Sequence, residues 1–246
     1  MDLGAYPESL DFVGPAGITL LRQTQLRYSG DLNDNGLSYS VSVENPNSDF
    51  TNGGADTVTG YERYPDLTAA LTRKADWGHV SVRGLLREVS VENETTGVDE
   101  GEFGYAVAGS AKVMTGDKDN LKVRMTYGNG LGRYIYDIAT SAKAASYNNG
   151  ELDLNEGFAG YFGYQHHWTD TLRSNVMGGY VSMDNKTDLI GTGQNEEIWS
   201  GHLNLIWQPV KQYKVGVEYI HGERQLDNGQ DGSLDRVQAS FIYGFN

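Results

Sequence analysis

Apolar and polar residues alternate with a period of two through stretch after stretch of this chain, in segments of about ten residues. Leu37, Tyr39, Val41 and Val43 alternate with Ser38, Ser40, Ser42 and Glu44. The closing VQASFIYGFN keeps Val237, Ala239, Phe241, Tyr243 and Phe245 in one phase. Successive side chains of a strand point to opposite faces, so each segment predicts a strand with one apolar and one polar face. LTAALTRK and HVSVRGLLR flank ADWG, and YAVAGSAKVM and LKVRMTY flank TGDKDN. FAGYFGYQHHW meets LRSNVMGGYV across TDT, and WSGHLNLIW meets KVGVEYIHG across QPVKQY. Each pair predicts a hairpin, and the fold class is all-β.

The connections are sorted by length. Short turns alternate with stretches rich in Asn, Asp, Glu and Gly at 46–62, 91–102, 129–153, 184–196 and 225–233. Short turns at one end and long acidic loops at the other predict a transmembrane antiparallel barrel in meander order; a soluble sandwich has no reason to sort its loops by end. Any α-helix is expected inside a loop, within 129–153. A mean hydropathy of −0.51 and the lack of an apolar run near 18 residues exclude a membrane-crossing helix. They do not argue against a barrel, whose alternation averages to a soluble-looking composition. Trp168, Trp207, Tyr213, Tyr243 and Phe245 lie beside short turns or the chain end. They are expected to anchor the barrel at one membrane interface.

With 246 residues and no cysteine, one domain is expected, without disulfides, thiolate metal sites or a cysteine nucleophile. A net charge of −14 argues against nucleic acid as a partner. No cofactor is expected: GNGLGR lacks the Lys-Ser/Thr of a phosphate loop, and DNGQDG at 227–232 has Gln238 where a calcium loop needs Glu. Adjacent His166 and His167 point to opposite faces of a strand, so no metal site is expected there. No leader precedes the first strand, so one is expected to have been removed or to lie upstream.

The polar phase carries the candidate chemistry. With the apolar phase facing lipid, Arg27, Arg83, Arg87, Lys112, Lys122, Arg124, Arg173 and Lys214 face inward, while few acids do, chiefly Glu44 and Glu218. Much of the acid content falls in the long loops instead. A basic lumen inside an acidic protein predicts guidance of anions, with Arg83 and Arg87 foremost, or else ion pairs that only fill the barrel. Arg22 shares a phase with Leu20, Leu26 and Tyr28 and fits neither face.

The stretches YPESLDFVGPAGITLLRQTQLRY, GHVSVRGLLRE, YQHHWTDTLRSN and HLNLIWQPVKQYKVGVEYIHGERQLDNGQDGSLDRVQ resemble the DcaP-like porins. The terminal Tyr-x-Phe, here followed by Asn246, resembles the outer-membrane assembly signal. The resemblance implies a homotrimeric diffusion channel of the Gram-negative outer membrane, passing small anions such as dicarboxylates. Its partners would be outer-membrane lipid, lipopolysaccharide and those solutes. It also implies a barrel of about sixteen strands, whereas alternation gives about eleven. Residues 1–246 therefore read as a single barrel domain resembling the C-terminal part of such a porin, starting at Met1 within the pore-folded third extracellular loop. Residues 1–16 correspond to the end of that loop.

Two other classes stay open at this level. A non-conducting structural or surface-display barrel fragment needs no lumen chemistry. A barrel lipase would need Ser and His together on the lipid face; His166 and Ser174 are both outward, with no third orienting group evident. The expectation is that the chain is not an enzyme.

Overall fold

The computed structural model describes residues 2–33, 35–55, 57–93, 96–138 and 143–245. Met1, the expected start within a loop, and the terminal Asn246 lie outside the described residues. The strands, in chain order, are β1 (Gln25–Asp31), β2 (Leu37–Glu44), β3 (Phe50–Asn52), β4 (Thr59–Tyr61) and β5 (Asp66–Ala75). They continue with β6 (Gly78–Asn93), β7 (Val98–Met114), β8 (Asn120–Asn129), β9 (Ala145–Asn148) and β10 (Glu151–Leu154). The last are β11 (Glu156–His167), β12 (Leu172–Asp184), β13 (Asn195–Val210), β14 (Tyr213–Leu226) and β15 (Asp231–Tyr243).

Eleven of these form one antiparallel meander in the order β1-β2-β5-β6-β7-β8-β11-β12-β13-β14-β15, with β4 appended to the end of β6. Every expected hairpin is present, and each long strand pairs with its sequence neighbour in the sheet. The sheet is open: β1 and β15 do not pair with each other. A second sheet, β10-β9-β3, is built from two of the long loops.

Two loop expectations are corrected. Residues 91–93 and 98–102 are not loop but the extended ends of β6 and β7, paired from Val91↔Glu100 to Asn93↔Val98. Their alternation continues because Val89 and Val91 are buried against Ala144, Tyr147, Leu152 and Leu154 of the second sheet. The α-helix, α1 (Thr187–Ile190), sits in the β12–β13 connection. The described part of 129–153 holds instead two 3₁₀ turns, Gly132–Tyr134 and Tyr136–Ile138, and part of the second sheet.

The two faces differ as the pleat requires. Outward stand Val80, Val82 and Leu86 of β6, Val107 of β7, Leu203 and Leu205 of β13 and Val217 of β14, all exposed large apolar side chains. Inward, the 131–138 segment folds against the wall, and Leu131, Ile135 and Ile138 pack on Leu85, Ala106, Ala159 and Val181. Burying each such aliphatic side chain contributes about 1.5–3 kcal/mol, which holds this segment inside the sheet.

A strap formed by residues 2–24 crosses the concave face before β1 begins. It runs out from β6 toward β15: Asp2 accepts from Ser110 of β7 and pairs with His79 of β6, and Asp11 pairs with Arg236 of β15. It then returns, with Ala16 N donating to Ser200 of β13 and Thr19 Oγ1 against Thr126 of β8. Glycine makes the return possible. A methyl on Gly179 would lie 1.8 Å from Ala16 O, and one on Gly17, at φ +82°, would lie 2.3 Å from Gly160 O.

Candidate functional site

The inward cations fall into three groups according to what the strap and loops do to them. Arg87 is held by the loops. Its guanidinium is 1% exposed, donates to Gly130 O at 2.9 Å and to Asn47 O, and meets Asp49 Oδ1 at 3.1 Å and Asp66 Oδ1 at 3.7 Å. Arg133 joins through Asp66 Oδ2 at 2.9 Å, and Tyr134 donates its hydroxyl proton to the same oxygen at 2.6 Å. Arg87 therefore stands on the expected face but is closed off from open space.

The second group is engaged by the strap. Glu8 accepts from Arg173 Nε at 2.6 Å and Nη2 at 2.7 Å, from Lys214 Nζ at 3.1 Å and from Gln165 Nε2 at 2.7 Å. Burial alone would raise the Glu8 carboxyl, but Arg173 and then Lys214 hold it at about 2. Lys122 Nζ donates to Tyr6 O at 2.9 Å. Next to it on the same face stands Lys112, directly opposite both Lys122 and His79 in register.

The third group is free. Arg22, Arg27, Arg83 and Arg124 line one cavity of about 350 Å³, together with Glu44, Thr126 and Tyr134. None of the four is paired with a carboxylate among the described residues. Arg124 is 6% exposed. Among the described residues its Nε and Nη1, and Nε of Arg83, are buried without a close hydrogen-bond partner, and the Tyr161 hydroxyl lies beside Arg124. Unsatisfied buried donors are rare because each costs about 1–3 kcal/mol. Both arginines line the cavity, and no carboxylate among the described residues neutralises them there. Arg22 lies in the strap just before β1, so the strand phase that left it unplaced does not apply to it.

The inward acids are spent. Glu44 accepts from Gln23, Ser42 and Thr68. Buried Glu218 accepts from Ser9 Oγ at 2.8 Å and from the Leu10 and Asp11 amides at 2.6 and 3.3 Å, with His202 Nδ1 3.1 Å away. Both therefore fasten the strap, leaving the cavity with an excess of positive charge.

Trp168, Trp207, Tyr243 and Phe245 are exposed and Tyr213 is half-buried, all near the short-turn end. Edge contacts link Tyr213 to Trp207 and Phe241 at 6.2 and 4.8 Å, and Tyr243 to Phe245 at 5.0 Å. A second outward belt, missed in the sequence, holds Phe103, Tyr105, Tyr127, Trp199 and Tyr219. Trp199 and Trp207 share a phase on β13, so at about 3.4 Å per residue they stand roughly 27 Å apart along it, and a tilt of about 40° brings the height near 20 Å. That approaches the apolar band of about 25 Å in outer-membrane barrels. Counting phase back from the loops would have found this belt.

The third group absent from the sequence reading of His166 and Ser174 is Asp119, whose Oδ2 lies 2.7 Å from His166 Nδ1. The Ser174 hydroxyl, however, accepts from Trp168 Nε1 at 3.0 Å, and no hydrogen bond joins it to His166 among the described residues. His166 stacks edge-on with Trp168 at 4.5 Å, which suits an interfacial anchor better than a nucleophile.

No protein of curated function matches the chain in sequence. Among solved structures, the crystal structure of the outer membrane channel DcaP of Acinetobacter baumannii superposes with a TM-score of 0.86 at 25% identity. The match covers 97% of this chain and 67% of that one. The profile of the family described as DcaP outer membrane protein matches residues 2–245. The chain therefore belongs to the DcaP outer membrane protein family, whose place is the outer membrane of Gram-negative bacteria.

Proposed function

We propose that the chain forms the wall and constriction of an outer-membrane diffusion channel for small anionic solutes, dicarboxylates among them. The observation that carries this reading is the cavity where Arg22, Arg27, Arg83 and Arg124 meet, none of them paired with a carboxylate among the described residues. A guanidinium offers two parallel donors to one carboxylate and keeps its charge at any physiological pH. Thr126, inward beside Arg124, adds a hydroxyl at the same place. Conduction requires that such a station bind weakly enough to release. The Arg22–Arg27–Arg83–Arg124 group meets that requirement better than Arg87, whose Nη1 and Nη2 already donate to Gly130 O and Asn47 O and which faces Asp49 and Asp66.

The outward apolar face with its two aromatic belts meets outer-membrane lipid, and the acidic loop end meets lipopolysaccharide. Assembly as a homotrimer would bury part of the hollow lined by Leu26, Tyr28, Val41, Val43, Leu67 and Leu86. A non-conducting wall is the competing reading, and the same experiment separates the two. In planar bilayers, Arg83→Glu together with Arg124→Glu is expected to move the reversal potential in a salt gradient toward cation preference and to slow succinate flux. Unchanged anion preference in the double variant overturns the assignment, and absence of any conductance favours the non-conducting reading.

A further inference from the structure

Glu8 is a carboxylate of the lumen bonded at both oxygens, and what coordinates it is the wall. Its donors come from β11 (Gln165), β12 (Arg173) and β14 (Lys214), and they supply four contacts to two oxygens. Two of these donors are oriented by groups other than Glu8. Arg173 Nη2 also reaches Gln208 Oε1 at 2.9 Å, and Gln165 is fixed by Asn120 and Asn175, both at 3.1 Å. Arg173 and Gln165 are therefore held by the sheet when Glu8 leaves, and Lys214 stands beside them on β14. The strap is also held on both sides of Glu8 by independent bonds: Asp2 to His79 and Ser110 before it, and residues 9–11 to Glu218 after it. The Glu8 side chain can swing away without release of the strap.

Without Glu8, Arg173 and Lys214 would be two inward cations with no other carboxylate to accept from them, because Glu218 is committed to the strap. Such a site takes a carboxylate and discriminates against neutral isosteres, since bidentate charge-assisted bonds are roughly twice as strong as neutral ones. We propose that Arg173, Lys214 and Gln165 form a second carboxylate-binding station of the lumen, occupied at rest by this chain's own Glu8, so that solute carboxylates reach it by exchange with Glu8. The inference rests on the channel reading and adds to it a tethered internal competitor. Tethered groups act at effective concentrations in the millimolar range, so exchange becomes appreciable only at comparable solute concentrations.

The test uses the full chain in detergent micelles, with thermal unfolding read by circular dichroism. Glu8→Ala is expected to lower the midpoint in sodium chloride, and sodium acetate at equal ionic strength is expected to restore at least half of the loss in a saturable way. Acetamide is expected to restore none of it, and Glu8→Ala with Arg173→Gln is expected to ignore acetate. Acetate acting no better than chloride on Glu8→Ala, or equally on the unaltered chain, overturns the proposal. Should Glu8→Ala fail to fold, Glu8→Gln keeps the side-chain volume. Calorimetric titration with succinate is then expected to show binding at least about tenfold tighter than in the unaltered chain, and equal affinity overturns the proposal. Acetate rescue alongside absence of any conductance would sink the channel reading alone; conductance with anion preference but no acetate rescue would sink only the exchange at Glu8.

Discussion

Arg83 and Arg87 stand four residues apart on one strand and are equivalent in the sequence, yet their surroundings give them different work. Phase told which face they share. It could not tell that Asp49 from a loop and Asp66 from the start of β5 would enclose one of them. Breaking a buried pair by removing one partner costs about 3–5 kcal/mol, because the other charge stays buried. Arg87→Met is therefore expected to lower stability by about that amount in urea unfolding while leaving reversal potentials unchanged; a selectivity shift without destabilisation would put Arg87 in the conduction path. Glu8 allows a pH test. Its folded pKa, about 2, lies below the unfolded value of about 4.3. A depressed carboxyl contributes stability that is fully present above the unfolded pKa and is lost as pH falls through the folded one. The difference in melting midpoint between the unaltered chain and Glu8→Gln is thus expected to be constant from pH 7 to 5 and to shrink from about pH 4.3 toward 2. A difference that vanishes by pH 6 would mean that the clasp around Glu8 is not what the substitution removes.

Strands were the legible elements, because period two is a local property: β2, β5, β7 and β13 could be read from their alternation alone. The length of β6 and β7 was not legible, since residues 91–102 are polar enough to look like loop, and only the second sheet supplies the surface that Val89 and Val91 bury against. The strap illustrates the same limit. PESLDFVGPAG has no periodicity, and its path is fixed by partners more than a hundred residues away, such as Glu218, Ser200 and Thr126. It passes close over Gly179, where a methyl group would lie 1.8 Å from Ala16 O. Gly179→Ala cannot be absorbed by a side-chain rotation, because the clashing atom is backbone. The substitution is expected to lift residues 15–18 from β12 and to speed limited proteolysis within the strap, with the meander itself intact by circular dichroism. Unchanged cleavage kinetics would show that the return path is not held there.

At the scale of the whole molecule the decisive feature is that the sheet ends in two edges. Inside lipid, every backbone N–H and C=O needs a partner, and for that reason membrane-spanning sheets close. Among the described residues β1 pairs with β2 alone and β15 with β14 alone, so each carries one row of backbone groups without a described strand beside it. The inner wall compensates in part, since the strap reaches β15 through Arg236 and Asp11 and Gln23 reaches Glu44 beside β1. These contacts are made by side chains, however, and among the described residues no strand pairs with the outer edges of β1 and β15. Amide exchange measures this directly, because protection follows the free energy of opening each hydrogen bond. For the chain in detergent, the outward-edge amides of β1 and β15 are expected to exchange orders of magnitude faster than those of β7 and β8 in the middle of the sheet. Addition of a partner that completes the sheet is expected to raise protection at both edges together while leaving β7 and β8 unchanged. Equal protection of edge and centre in the isolated chain would mean that the two edges are already paired, with each other or across copies, and that the open sheet is not the state in solution.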